Sequence, residues 1–199
     1  MTDTAPGISA CLNGGGIVLL PTDTVLGLAV SPAHDDAVAR LYALKDRPRE
    51  KNLPIMVADM SQIADLGALP TDAARRLLAS PFVPGAVTLV LELGPQRPDW
   101  LAGRDEIALR IPDDARLRDV LRRTGPLLVT SANRAGLETP HTSDAASAQL
   151  TAPPDLVVAG TSRAGAPSTI VNCRTSPPHL IRIGAVTAAQ INALFEENP

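Results

Sequence analysis

Several short polar clusters stand directly after apolar runs, where open α/β sheets place their ligands. In VLLPTDTVLGLAV, residues 18–30, two hydroxyls flank an acid at Thr22, Asp23 and Thr24. Such a trio makes either a tight turn, in which Thr and Asp bond their own backbone, or a binding loop. In KDRPREK, residues 45–51, four cations fall within seven positions. A solvated helix end would explain them, but Pro48 forces an extended exit that sets Lys45 and Arg47 on a rigid corner. An ammonium and a planar guanidinium side by side suit phosphate oxygens. In ALRIP, alternation puts Ile107, Leu109 and Ile111 on one strand face and Ala108 with Arg110 on the other. If that second face lines a cavity, Arg110 is an anchor for a carboxylate or phosphate; if it faces water, Arg110 is only solvated. Ser131 and Asn133 in VTSANRAG are good turn formers and equally good partners for a ribose, phosphate or base edge. Thr88 reads first as a β-branched strand residue. Ser168 stands at a strand entrance in APSTI, and Arg182 sits among apolar neighbours in LIRIG.

The familiar phosphate and nucleophile signatures are missing from the sequence. Gly14–Gly16 are not followed by Gly-Lys-Ser/Thr, no G-x-G-x-x-G opens a helix, and no G-x-S-x-G occurs. His34, His141 and His179 are far apart and form no HExxH, so a metal site built from protein side chains is not expected.

The remaining composition narrows the class. A chain of 199 residues with 45% apolar and 20% charged residues has the composition of a globular protein with a real core. Aromatics make up only 2%, so Leu, Val, Ile and Ala must build that core, and stacking of single-stranded nucleic acid is disfavoured. The net charge of −3 gives no global attraction to polyanions, so any basic site is local. Cys11 and Cys173 fit no zinc or redox spacing and read as small buried hydrophobes, consistent with a reducing compartment. The acidic N-terminus lacks a signal-peptide pattern, and no apolar run of about 18 residues exists, so no membrane span is expected.

The elements that must position these groups follow from periodicity. Helices are expected near residues 8–13, 31–44, 61–66, 71–79, 112–123, 143–150 and 188–196. Thr71 starts the fourth, and Thr187 with Gln190 forms a capping box for the last. Strands are expected at 17–20, 25–30, 53–57, 84–93, 107–111, 126–130, 155–159, 168–173 and 180–184. The irregular mixture predicts an α/β or α+β fold with one mixed sheet, and nothing marks a domain boundary.

Taken in order, PTDTVLGL, KDR, PGAVTLVL, LRIPDD, TSAN, STIV and LIRIG resemble the threonylcarbamoyl-AMP synthase family, the YrdC-type domain. The likeness runs from about residue 8 to the end, and K-x-R with S-x-N is that family's signature. It implies a single YrdC-like domain over 1–199, the short form, with a twisted mixed sheet, flanking helices and a concave basic cavity. It further implies a nucleotidyltransferase that makes threonylcarbamoyl-AMP and pyrophosphate from L-threonine, bicarbonate and ATP with Mg²⁺ in the cytoplasm. A separate tRNA threonylcarbamoyl-transferase complex would then modify an adenosine beside the anticodon. By resemblance, Thr24, Arg110 and Ser168 hold threonine and the carboxylated intermediate. Lys45, Arg47, Thr88, Ser131, Asn133 and Arg182 surround ATP, with Lys51 and His141 at neighbouring positions. Lys45 and Arg47 are the expected catalytic pair, and Mg²⁺ is held mainly by the nucleotide.

Electrostatics agrees with that chemistry. A carbamate must approach an anionic α-phosphate, so the site needs fixed cations and little water. Lys45, Arg47, Arg110 and Arg182 would supply four, and alanine at Lys45 or Arg47 is expected to damage turnover more than folding. The sequence departs from the family pattern at Leu26, where Tyr is usual, at Asn52, where Pro is frequent, and at Met56. Two other readings share these residues: an RNA- or nucleotide-binding protein without synthase activity, and a carbamoylation enzyme with another acceptor.

Overall fold

The computed structural model describes residues 3–196. Its strands are β1 (Val18–Leu20), β2 (Gly27–Val30), β3 (Ile55–Met56), β4 (Ala68–Leu69), β5 (Val87–Leu93), β6 (Glu106–Arg110), β7 (Leu127–Ser131), β8 (Leu156–Val157), β9 (Thr169–Asn172) and β10 (His179–Arg182). Its helices are α1 (Ala5–Asn13), α2 (Asp35–Leu44), α3 (Met60–Asp65), α4 (Asp72–Leu78), α5 (Ala115–Thr124), α6 (Ser143–Gln149) and α7 (Ala188–Glu196). The strands form one mixed sheet in the order β10-β9-β5-β6-β3-β7-β2-β1-β8, with β4 added against β5. Three pairs are parallel (β5 with β9, β3 with β6, β1 with β8), and the others described are antiparallel.

Both faces of the sheet are apolar, which is why β1 and β2 read as unbroken apolar runs. Ile17, Leu19, Leu28 and Val30 point into the larger core, together with Leu41 of α2, Leu77 of α4 and Ile191 of α7. Val18, Leu20 and Ala29 point the other way, into a smaller cluster with Ile8 and Leu12 of α1 and Leu117, Val120 and Leu121 of α5. On β6, Ile107 and Leu109 join the larger core, while Ala108 and Arg110 lie on the opposite face.

Caps set the helix ends. Thr71 Oγ1 accepts from the Ala74 amide, Thr187 and Gln190 bond reciprocally as expected, and Asp114 Oδ1 accepts from the Leu117 amide at 2.9 Å. Some boundaries differ from the sequence expectation. The helix expected from residue 31 begins at Asp35, because Ser31 and Pro32 open a turn in which the His34 amide bonds the Ser31 carbonyl. The strand expected at 53–57 contracts to Ile55–Met56, since Pro54 has no amide to donate. The Pro54 carbonyl still accepts from Val129, and the Val57 amide donates to Arg110. The short β4 and a 3-10 turn at Asp99–Leu101 carry no periodic signal and were not anticipated. Cys173 is buried as expected, whereas Cys11 is only half-buried.

Asp114 is buried and its side chain caps the N-terminus of α5. Asp114→Ala should lower stability by about 1 kcal/mol, read as a reduced urea midpoint with unchanged slope.

Candidate functional site

A cavity of about 330 Å³ opens on the sheet face that α1 and α5 cover at its other end. Met56 and Val129 mark the boundary, since they both line the cavity and pack in the smaller core. The floor continues with Thr88 and Val90 of β5, Ala108 and Arg110 of β6, and Ile170 of β9. The loop after β1 supplies Thr22 and Thr24, the end of β7 supplies Ser131, and the β9 entrance supplies Pro167 and Ser168. Arg47 and Arg182 complete the wall from opposite ends of the chain.

The Thr-Asp-Thr loop is both turn and wall. Thr22 Oγ1 accepts from the Thr24 amide at 3.1 Å and donates to the Val25 carbonyl at 2.7 Å. Thr24 Oγ1 accepts from Arg110 Nη1 at 2.8 Å. Arg110 is 5% exposed and is held on two further sides: its Nε donates to the Gly85 carbonyl at 2.8 Å, and its Nη2 lies 2.7 Å from Asp23 Oδ2. Of the two environments that alternation left open for Arg110, the cavity is the one observed. Burial lowers the Arg110 pKa, and the Asp23 carboxylate opposes that shift.

Arg182 reaches the same region from β10. Its Nη2 and Nε donate to the Ser168 carbonyl at 2.8 and 3.2 Å. Burial, then the nearby Arg110 charge, lowers its pKa. The Ser168 and Thr88 hydroxyls bond one another at 2.8 Å on the floor. Gly184 anchors the end of β10, where a Cβ would fall 2.1 Å from the Pro167 carbonyl oxygen. Arg47 bonds the carbonyls of Lys51 and Asn52. Three guanidiniums thus border one cavity, and among the described residues the single salt bridge they make, from Arg110 to Asp23, leaves positive charge in excess. Such a recess attracts an anion of two or more charges.

The other expected residues lie off the wall. Lys45 is 2% exposed, and its ammonium donates to the carbonyls of Ser131 at 2.5 Å and Asn133 at 2.6 Å. Asn133 closes the turn from behind the wall: its Oδ1 accepts from the Ser131 hydroxyl, and its Nδ2 donates to Arg134 and Leu137 carbonyls. Lys51 is exposed and contributes its carbonyl to Arg47. His141 is exposed and bonds Ser162 through Nδ1 at 2.7 Å. Sequence reasoning noticed Asp23 but not its pairing with Arg110, because the two lie on segments with no periodic relation. It also missed that the amides of Arg163 and Ala164 both donate to the Thr24 carbonyl. The hydroxyl-rich wall, with no group of three His, Cys, Asp or Glu gathered among the described residues, suits a metal ion carried by phosphate oxygens and water.

Lys45 therefore holds the turn that presents Ser131, which gives it a structural task beside any catalytic one. Lys45→Met should cost about 2 kcal/mol at pH 7 by leaving two carbonyls without their donor. Burial and the Arg47 charge lower the Lys45 pKa to about 8 from the ordinary 10.5. Between those values the unfolded chain binds a proton that the folded chain does not, so wild-type stability gains on the variant as pH rises through that window. Urea denaturation of both proteins across that range checks the sign.

The chain matches the Sua5/YciO/YrdC family, described as Telomere recombination, over residues 10–184. It is 34% identical over 194 residues to the threonylcarbamoyl-AMP synthase of Bacillus subtilis (strain 168), covering 94% of this chain and 55% of that relative. It is 40% identical over 132 residues to the threonylcarbamoyl-AMP synthase of Stenotrophomonas maltophilia (strain K279a), covering 64% of this chain and 70% of that one. The crystal structure of P. abyssi Sua5 complexed with L-threonine superposes with a TM-score of 0.86 at 27% identity, over 97% of this chain and 57% of that one. The E. coli YciO structure shares the fold, with a TM-score of 0.82 at 23% identity over 96% of this chain and 93% of that one. The chain thus spans little more than half the length of the B. subtilis and P. abyssi proteins. Matched over most of its sequence and sharing the mixed sheet, it belongs to the Sua5/YciO/YrdC family.

Proposed function

We propose that this chain is an L-threonylcarbamoyladenylate synthase, a nucleotidyltransferase that joins L-threonine, bicarbonate and ATP into threonylcarbamoyl-AMP with release of pyrophosphate. The observation that carries the reading is the convergence of Arg47, Arg110 and Arg182 on one cavity, with Asp23 as the single carboxylate paired to them among the described residues. The names of the relatives, and the L-threonine bound in one of them, support the same reading.

In this reading the amino acid lies against the hydroxyl-lined floor, with its carboxylate on Arg110 and its polar groups near Thr24 and Ser168. The neutral threonine amine forms a C–N bond to the carbon of bicarbonate, or of CO₂ formed from it by loss of water, and its proton leaves with the bicarbonate hydroxyl as water, so that a carbamate and one water result. The carbamate oxygen attacks the α-phosphorus, its new P–O bond replaces the bond to pyrophosphate, and pyrophosphate leaves with those electrons. Arg47, Arg182, Thr88 and Ser131 surround the triphosphate, and Lys45 and Asn133 support the wall that presents Ser131. Mg²⁺ accompanying ATP would screen phosphate charge. No protein nucleophile is needed, so catalysis is positioning together with fixed positive charge. The product is an activated acyl donor for a tRNA threonylcarbamoyl-transferase complex.

Pyrophosphate release is expected to require ATP, L-threonine and bicarbonate together. Release that proceeds better with another acceptor would assign the chain to a different carbamoylation, and tRNA binding without pyrophosphate release would make it a binding protein. Arg110→Ala should lower kcat/KM about 100-fold, a loss of about 3 kcal/mol, because a buried hydrogen-bonded charge is removed. Steady-state kinetics of the purified variant, with its folding checked by circular dichroism, measures this loss.

A further inference from the structure

Asp23 has no task in the loop that carries it. Thr22 and Thr24 make that turn, through the Thr24 amide on Thr22 Oγ1 and the Thr22 hydroxyl on the Val25 carbonyl. The Asp23 carboxylate makes no such backbone bond among the described residues. Its side chain is only 10% exposed, its Oδ2 lies 2.7 Å from Arg110 Nη2, and its Oδ1 is buried without a hydrogen-bond partner. A buried carboxylate with one charged partner carries a desolvation penalty, and removing either partner leaves an uncompensated charge. Asp23 is not on the cavity wall, whereas Thr24 and Arg110 are. It therefore stands behind Arg110, on a different edge of the guanidinium from the Gly85 carbonyl.

We infer that Asp23 is a positioning residue, which locks the buried Arg110 fork in the orientation that receives the carboxylate of the amino-acid substrate. The inference rests on the synthase reading for the identity of that substrate. The Thr24 hydroxyl and the Gly85 carbonyl accept hydrogen bonds from Nη1 and Nε, and the Asp23 carboxylate sits at ion-pair distance from Nη2, which has no other partner among the described residues, so the three groups together flank the plane of the fork. Asp23 is the one charged member, so it also offsets the desolvation of a cation on a sheet floor. Replacing it with an amide keeps the volume, removes the charge and lets the fork turn.

The test is a double-mutant cycle in the full chain, using Asp23→Asn, Arg110→Ala and the pair together. Asp23→Asn should raise the KM for L-threonine about tenfold or more while leaving the KM for ATP within about threefold. In the Arg110→Ala background it should change the threonine KM by less than about twofold, because the group it positions is gone. An unchanged threonine KM in the single variant, or effects that multiply in the double variant, would overturn the inference. If Asp23→Asn does not fold, Asp23→Glu carries the test, since it keeps the charge and displaces the carboxylate by one methylene. A raised threonine KM with an unchanged ATP KM then supports positioning, and an unchanged threonine KM refutes it. Nitrogen-15 NMR of the Arg110 Nε–H gives a readout that needs no turnover. A slowly exchanging signal in the wild type that broadens or shifts in Asp23→Asn supports the inference, and an identical signal in both refutes it. Should the wild type release no threonine-dependent pyrophosphate, the synthase reading falls, and Asp23 is judged on the NMR signal alone.

Discussion

The constraint around which this molecule is arranged is the burial of a guanidinium on the floor of a β-sheet. Arg110 sits in β6, inside the sheet, with apolar residues at Leu109 and Ile111 on either side of it in sequence. A cation there loses most of its hydration, so its donors must be met by the protein or by a ligand. The protein meets two of them with hydrogen bonds from far-separated segments, the Thr24 hydroxyl in the loop after β1 and the Gly85 carbonyl in the turn before β5, and sets the Asp23 carboxylate against the third nitrogen. The consequence runs outward. The segments that serve Arg110 have to arrive at the same place, and the topology that brings them there also leaves part of one sheet face free of helices.

That uncovered face is what separates this sheet from an ordinary two-sided one. The larger core closes its side with α2, α4 and α7, and α1 with α5 closes the other side over only part of its width. Where helical cover ends, the inward residues change from Leu and Val to Thr88, Arg110 and Ala108. The cavity is thus a stretch of sheet surface in which the packing rule is kept and the residue types are exchanged. The Arg110 charge acts on Arg182, so an anion bound between them would relieve that repulsion and couple its affinity to folded-state stability through the same charges.

Much of this was legible in the sequence, and the reasons are physical. Alternation in ALRIP separated Arg110 from Ile107 and Leu109, because a strand has a strict period of two. The Thr71 and Thr187 caps were visible because capping is local. What could not be read was pairing across the sheet. Asp23 and Arg110 meet only because β2, β7, β3 and β6 lie in that spatial order. Lys45 looked like a cation displayed at a helix end, but the chain turns at Asp46 with φ 52° and sends its ammonium inward to the Ser131 and Asn133 carbonyls. Chain reversals of this kind are decided by tertiary contacts, which no spacing rule records. The exposed placement of Lys51 and His141 has the same origin, since sequence neighbours of a site are not thereby its lining.

The arginines of the wall are unequally anchored. Arg110 belongs to a strand paired on both sides, while Arg182 ends β10, whose one strand neighbour among the described residues is β9, and Ile181 within it and Ile183 just beyond it are 54% and 61% exposed. Peripheral strands open at far smaller cost than interior ones. The recess therefore has one wall set inside the sheet and one set at its margin, so the two guanidiniums that face each other across it rest on unequally supported strands.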